Sequence, residues 1–289
     1  MRIAFTGPTG QLGTDLCSLF GDSVVPLSRP DFDLADDEAI RRCLDAAQPD
    51  LVINTAAYNL VDRAEDEPEL AIRINSLGPR TIALWCAERN LPLVHFSSDY
   101  VFGLDAERTV PYSEDDAPGP LSAYAASKLQ GEYFVRSLCP QHFVVRTCGL
   151  FGVAGSRGAG KGNFIETMLR LGAERDELTV VNDQHCTPTS TADLAAAVAE
   201  LVQTDRFGLY HATNSGSTTW HELASYVLQS AGLTTVVRPI SSADFGAKAR
   251  RPGYSVLDCG KLEAALGRPV PDWRGAVDRY LADRARIEN

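Results

Sequence analysis

Apolar residues in this chain come in short runs separated by stretches of helical period, and that alternation predicts the architecture. Runs at residues 2–6, Ser23–Leu27, Asp50–Asn54, Leu91–Phe96 and Phe143–Arg146 read as strands. Between them, helical patterns occupy 14–20, roughly 36–48, a long region from Val61 to about Asn90 interrupted at Pro68 and Pro79, and a stretch opening near Tyr124. Strand and helix in strict alternation predict an α/β, doubly wound parallel sheet, and the unbroken apolar run before Asn54 suits a strand buried on both faces. Beyond Arg146 the pattern loosens, as a smaller α/β substrate-binding lobe would. A helix near 163–172, a short strand Leu178–Val181, a helix from Thr191 through Val202 and a strand Phe207–His211 are expected, the last two returning to the main sheet. Thr219, with Glu222 three places on, has the form of a helix cap, and Trp220 beside it is assigned to the core. Residues 104–120 read as an exposed loop over the site, and the helix from about Trp273 to Ala285, with its alternating charges, as a solvated lid.

Composition narrows the function classes. The chain has 289 residues, 44% hydrophobic and 22% charged, with a net charge of −11. That charge disfavours nucleic acid and anionic membranes, so an anionic ligand needs a local basic pocket. Seven scattered cysteines with no paired spacing predict reduced thiols in a cytoplasmic protein, and no metal site. The chain opens directly on a strand, with no signal peptide expected, and no apolar run reaches the roughly 18 residues that span a bilayer. The expected assembly is a monomer or homodimer.

The first strand runs at once into Gly7-Pro-Thr-Gly10-Gln-Leu-Gly13, after which a helix begins. Strand, glycine turn, helix is the setting in which this spacing binds a dinucleotide: a tight turn at Gly7, close backbone approach to a pyrophosphate at Gly10, and close helix packing at Gly13. The pyrophosphate would lie over the helix N-terminus. These features predict a Rossmann-like NADP(H)-binding domain over 1–150 with about 188–212, and the lobe over 151–187 with about 213–289. Ser28 and Arg29 stand at the end of the second strand, where an acidic residue would select NADH. They predict NADPH, with Arg29 against the 2′-phosphate and NADH also accepted; an exposed loop arginine is the alternative. Asp33 and Leu34 follow, beside the adenine. The small residues Ala56 and Ala57, with Tyr58 and Asn59, sit at the carboxyl end of the third strand, where ligands bind in such sheets.

Tyr124 and Lys128 are four residues apart, one helical turn, so both side chains can meet one bound molecule. A lysine ammonium beside a phenol lowers its pKa from near 10 and prepares it to exchange a proton with a substrate oxygen. Ser98, in the hydroxyl-rich end of the fourth strand, is the expected third member. Asn75 is expected to hold a water or backbone near the site.

These motifs in this order resemble the extended short-chain dehydrogenase/reductase superfamily. The resemblance is closer still to the dTDP-4-dehydrorhamnose reductase family, carried by Gly10-Gln-Leu-Gly13, Val61-Asp-Arg-Ala-Glu65, Ser98-Asp-Tyr-Val-Phe102, Gly162-Asn-Phe-Ile-Glu-Thr-Met-Leu169, Asn182-Asp-Gln184 and Arg250-Arg-Pro252 over nearly the whole chain. It implies reduction of the C4 ketone of dTDP-4-dehydro-L-rhamnose to dTDP-L-rhamnose, with Ser98, Tyr124 and Lys128 catalytic. It also implies cofactor contacts at Gly10, Gln11, Leu12, Asp33, Leu34, Ala57, Tyr58, Asn59 and Phe96. The substrate side is expected at Ser98, Asp99, Val101, Phe102, Asn163, Gln184, Arg250 and Arg251, whose forked donors suit a diphosphate. Arg157 and Lys161 would add to that positive pocket.

One departure stands out: where the family commonly has Arg-Thr-Ser-Trp, this chain has Arg146-Thr-Cys-Gly149, removing an aromatic surface at the sugar. Phe151 or the glycine-rich segment 153–162 would then close the pocket. Two rivals remain beside the rhamnose reading. One is a 4-ketoreductase for another deoxysugar; the other is a non-catalytic, NADP-binding regulatory subunit similar to that of methionine adenosyltransferase. A dehydratase is disfavoured because Asp99 and Tyr100, not a glutamate, follow Ser98.

Overall fold

The computed structural model describes residues 1–156 and 162–288. The expected positions of Arg157 and Lys161 lie outside the described residues. Strand β1 (Ile3–Thr6) leads into α1 (Gln11–Phe20), β2 (Val24–Leu27), α2 (Asp37–Ala47) and β3 (Leu51–Asn54). Then come α3 (Pro68–Ile72), α4 (Gly78–Arg89), β4 (Leu93–Ser98), α5 (Ala123–Leu138) and β5 (His142–Thr147). The second half supplies β6 (Leu150–Phe151), α6 (Phe164–Glu174), β7 (Glu177–Val181), β8 (His185–Cys186), β9 (Thr189–Ser190), α7 (Thr191–Leu201) and β10 (Gly208–His211). It ends in β11 (Thr218–Thr219), α8 (Trp220–Ser230), β12 (Val236–Ile240), α9 (Ser242–Phe245), α10 (Gly260–Leu266) and α11 (Trp273–Glu288).

Six strands form one parallel sheet in the order β10-β5-β4-β3-β1-β2. Every residue of β1, β3 and β4 is buried, because helices cover both faces. One face packs Ile3, Phe5, Ile53, Val94 and Val145 against α1 and α7; the other packs Ala4, Val52 and Val144 against α2 and α4. The α/β doubly wound fold expected from the alternation is therefore the one observed. Chain direction across the sheet diverges on either side of β1 and β3, and ligands of such sheets lie at the carboxyl ends around that point. A separate apolar cluster forms among α6, α8 and α11 from Ile165, Leu223, Val227, Trp273 and Val277.

The helical region expected from Val61 to about Asn90 is not interrupted at Pro79, because helical turns run without a gap from Pro68 to Arg89. Pro68 opens α3, and five residues of wider π-helical turn, Arg73–Leu77, join it to α4. Pro79 has no N–H to give the turn before it, and the widened turn absorbs the loss. Its consequence is functional: Asn75 is swung inward and is 1% exposed.

One expectation is corrected and one is refined. Helix α11 is not a solvated lid, since Trp273, Ala276, Val277 and Tyr280 fall at helical spacing on one buried face beneath its charges. Segment 104–120 is the largely exposed loop expected, but it is pinned to the body of the protein at Tyr112. Tyr112 is 3% exposed and stacks on Phe102 at 4.0 Å, while its backbone N–H donates to Val256 O at 2.8 Å.

Candidate active site

Helix α5 is aimed by its first turn. Ser122 Oγ accepts from Ala125 N at 3.2 Å, and the Ala123 N–H donates to Glu65 Oε1 at 2.8 Å, so two otherwise unpaired N–H groups are satisfied. Farther along, Glu132 and Arg146 of β5 form a buried two-pronged pair, Nε to Oε1 at 2.9 Å and Nη2 to Oε2 at 2.7 Å. The same guanidinium lies 5.0 Å from the centre of the Phe102 ring. Asn75 fastens the first turns from a third side: Nδ2 donates to Ser127 Oγ at 3.0 Å and to Tyr58 O at 2.9 Å, while Oδ1 accepts from Tyr58 N at 2.8 Å. Asn75 thus holds backbone, one of the two roles expected of it.

With α5 placed, Tyr124, Lys128 and Ser98 meet at the carboxyl end of β4. The Lys128 ammonium donates to Phe96 O at 2.6 Å, and the Tyr124 hydroxyl is hydrogen-bonded to Ser98. Ser98 Oγ in turn donates to Asp99 Oδ1 at 3.1 Å and accepts from Tyr100 N at 3.2 Å. Asp99 is 2% exposed; its Oδ2 accepts from Ser255 Oγ at 2.6 Å, and the Cys148 thiol also bonds it. The Cys148 thiol touches Cys186 as well.

The electrostatics differ from the expectation for this pair. Burial pushes the Tyr124 phenol up to about 12, with the Ser98 hydroxyl pulling the other way. Burial also pulls Lys128 down to about 8, partly offset by Glu132. Desolvation outweighs any lowering of the phenol by the ammonium, one of whose N–H groups donates to the Phe96 carbonyl. Tyr124 is consequently a phenol, an acid, at neutral pH.

The glycine turn has the geometry its spacing implies. Gly7 is left-handed (φ +69°), and a Cβ on Gly13 would lie 2.1 Å from Gly7 O, so only glycine lets α1 pack there. A Cβ on Gly10 would meet nothing nearer than Gly7 O at 3.5 Å. Packing does not demand glycine at 10; close approach of a ligand would. Helix α1 also starts without a side-chain cap, leaving its first N–H groups to an anion. Gln11 is turned away from this mouth: its Oε1 accepts from Gly152 N at 3.0 Å and from Asn163 Nδ2 at 2.9 Å. Leu12 and Leu34 are buried, leaving backbone for contact with a ligand, and Asp33 Oδ1 accepts from Ala35 N at 2.9 Å. Ser28 and Arg29 are exposed, and no ion pair of Arg29 occurs among the described residues. Ala57 and Asn59 are exposed at the end of β3 and Ala56 is half-buried, while the Tyr58 hydroxyl points away to Glu67 Oε2 at 2.9 Å.

The substrate-side expectations fare less evenly. Val101 and Phe102 are fully buried in a cluster with Tyr112 and Leu257, so they shape the site from beneath and cannot touch a ligand. Asn163 is a cap, its Oδ1 accepting from Glu166 N at 3.0 Å and its Nδ2 shared among Gln11, Gly152 and Tyr280. Gln184 is 7% exposed and occupied at both ends, Nε2 donating to Ser242 Oγ at 2.8 Å and Oε1 accepting from Trp220 Nε1 at 3.2 Å. Arg250 is exposed. Arg251 is not a free cation: it grips Asp62 through Nη2 to Oδ2 at 2.8 Å and Nη1 to Oδ1 at 3.1 Å, and also bonds Tyr100. Lys248 pairs with Asp66 and Ala249 N donates to Asp62 Oδ1 at 2.9 Å, so segment 248–251 is strapped across the end of the sheet. Sequence reasoning overlooked Asp62 as a partner, Ser255, and the thiols at 148 and 186. Asp62 stood inside a quoted motif; the others carry no local signal.

A protein-family model described as the RmlD substrate binding domain matches residues 1–286. The chain belongs to that family. Among RmlD relatives, a dTDP-4-dehydrorhamnose reductase of Streptomyces griseus is 40% identical over 96% of this chain and 91% of its own length. A protein of Bacillus subtilis named spore coat polysaccharide biosynthesis protein SpsK is 38% identical over 98% of both chains. Among solved structures, the dTDP-4-dehydrorhamnose reductase of Bacillus anthracis in complex with NADP is 35% identical, with a TM-score of 0.91 over 98% of this chain and 99% of that one. This RmlD-family chain is accordingly an NAD(P)-dependent reductase by kinship, with the Ser98, Tyr124 and Lys128 cluster at the carboxyl end of its sheet.

Proposed function

We propose that this protein reduces the C4 ketone of dTDP-4-dehydro-L-rhamnose with NADPH, giving dTDP-L-rhamnose. The observation that carries the reading is the Tyr124 hydroxyl bonded to Ser98 one helical turn from Lys128, in an RmlD-family chain. The glycine turn fits the cofactor: Gly10 presents open backbone, and the uncapped start of α1 faces the same space. Gly7, Gly10 and Gly13 with Leu12 would hold the pyrophosphate, Arg29 and Ser28 the 2′-phosphate, Asp33 and Leu34 the adenine, and Ala56, Ala57, Tyr58, Asn59 and Phe96 the nicotinamide side. When bound, NADPH supplies the hydride for the carbonyl carbon.

The chain's own groups manage the oxygen. Ser98 orients the carbonyl, its own hydroxyl held by Asp99. Tyr124, protonated at neutral pH, gives its proton to the developing alkoxide. Lys128, charged below about pH 8, places positive charge beside the reacting oxygen and the cofactor ribose. Arg250 and Arg251 are proposed for the diphosphate, Arg251 while still braced by Asp62. Residues 1–150 with about 188–212 would carry the dinucleotide, and 151–187 with about 213–289 the sugar nucleotide.

The test is NADPH consumption with the thymidine-linked keto sugar generated by upstream enzymes. Turnover yielding dTDP-L-rhamnose supports the reading; nucleotide binding without turnover would refute it in favour of a regulatory subunit. A second reading, a ketoreductase for another deoxysugar, is favoured by Gly149 and by the SpsK relative. A panel of keto sugars in the same assay separates the two by their kcat/KM values.

A further inference from the structure

Gln11 opens helix α1 directly after the glycine turn and serves two neighbourhoods. Its backbone N–H belongs to the uncapped first turn, the part of the helix that receives an anion in the nucleotide reading. Its side chain is turned away from that mouth. Oε1 accepts from Gly152 N at 3.0 Å and from Asn163 Nδ2 at 2.9 Å, partners 141 and 152 positions distant in the chain. Gly152 and Asn163 are both buried, so losing the Gln11 oxygen leaves an interior N–H without its acceptor. The contact is closely fitted: a Cβ on Gly155 would lie 2.6 Å from Gln11 Oε1 and 2.8 Å from Asn163 Nδ2.

Both partners belong to the part of the chain proposed for the sugar nucleotide. Gly152 follows β6, downstream of Cys148, whose thiol bonds the Asp99 that holds Ser98. Asn163 caps α6 through Oδ1, which accepts from Glu166 N at 3.0 Å, and the Glu166 carboxylate accepts from the Tyr280 hydroxyl and from Arg284 Nε at 2.9 Å, both on α11. One amide oxygen on the first turn of α1 therefore holds the chain leading from the catalytic serine and the start of α6 at once. An anion seated on the N–H groups of that turn would fix Gln11 in place, and ordering Gln11 orders what its side chain grips. A second ligand then meets a surface already immobilised and loses less freedom on binding.

We propose that Gln11 is a positioning residue that couples the two ligands of this protein: with the dinucleotide bound, its side chain holds Gly152 and Asn163 in the arrangement the sugar nucleotide requires. The proposal rests on the nucleotide-sugar reading above. It concerns the side chain alone, since contact with the pyrophosphate uses backbone.

The test is a binding cycle on the full-length protein with NADPH and dTDP-L-rhamnose, which are both reduced and so form a pair that cannot react. In the wild type, Kd for dTDP-L-rhamnose should fall about fivefold or more when NADPH saturates the protein, and Kd for NADPH should fall by the same factor when the sugar nucleotide does. Gln11→Leu removes the acceptor and should bring that ratio to within about twofold of one, while Kd for NADPH alone stays within about threefold of the wild type. Asn163→Ser keeps an oxygen to cap α6 but removes the donor to Gln11, and should lower the ratio in the same way; it decides the matter should Gln11→Leu not fold. A merely structural amide would weaken each ligand by itself and leave the ratio intact. That result overturns the proposal, as does a wild-type ratio of one. Turnover of the keto sugar by the wild type would then leave the functional reading standing, and the inference fails alone. If the wild type binds neither nucleotide, the functional reading falls and the inference with it.

Discussion

The side of this molecule proposed for the dinucleotide and the side proposed for the sugar are built by different means. On the first, chemistry is short-range in sequence: three glycines within seven residues, and Tyr124 and Lys128 one turn apart. On the second, the decisive contacts join residues far apart in the chain. Asp99 and Ser255 are 156 positions apart, and Asp62 and Arg251 are 189. The difference shows how the two sides can diverge. A local motif keeps its geometry as long as its strand and helix form, whereas a long-range contact can be rewritten by changing either partner.

The comparison can be broken most severely through the anchor shared by both sides. Glu132→Ala leaves Arg146 charged and unpaired in the core. The expected loss of stability is about 3–5 kcal/mol, read in urea or thermal unfolding. A loss under about 1 kcal/mol would show that the pair does not hold α5 in place. Next in size, Tyr124→Phe should lower turnover by about 10² or more while leaving NADPH binding and the unfolding midpoint nearly unchanged. Retained activity would remove the phenol from the mechanism.

Lys128 sharpens the contrast through pH. Its folded pKa of about 8 lies below the 10.5 of the exposed group, so the unfolded chain binds more protons between those values. Stability contributed by this residue therefore rises with pH across that window and is lost as pH falls toward 8. Activity should move the opposite way, kcat/KM falling as pH rises through about 8 and the ammonium discharges. Lys128→Met should flatten both profiles; unchanged profiles would place the titration elsewhere. The smallest effect is expected on the sugar side. Asp62→Ala removes a partly exposed pair, costing less than about 1 kcal/mol of stability, yet it frees Arg251. KM for the sugar nucleotide should rise severalfold with KM for NADPH unaffected, and a change confined to the cofactor would contradict the strap's place.

How much was legible follows the same division. The parallel sheet was readable because strands buried on both faces write themselves as unbroken apolar runs, as Leu51–Asn54 does. The meeting of Ser98, Tyr124 and Lys128 was readable from a strand end and a helical spacing. The protein partners of Asn163 and Gln184 were not legible, because an amide in a motif looks the same whether it caps a helix or faces a sugar. Helix α11 was misread because its outward charges outnumber the four residues it buries.

By itself the sequence determined what depends on neighbours in the chain: strand and helix order, the glycine turn, and the tyrosine–lysine pair, since their geometry is set by backbone period and local sterics. Only the tertiary structure decided the ionisation of Tyr124 and Lys128, because desolvation depends on everything packed around a group. It alone decided that Arg251 is already held by Asp62, a contact between residues that no local pattern connects.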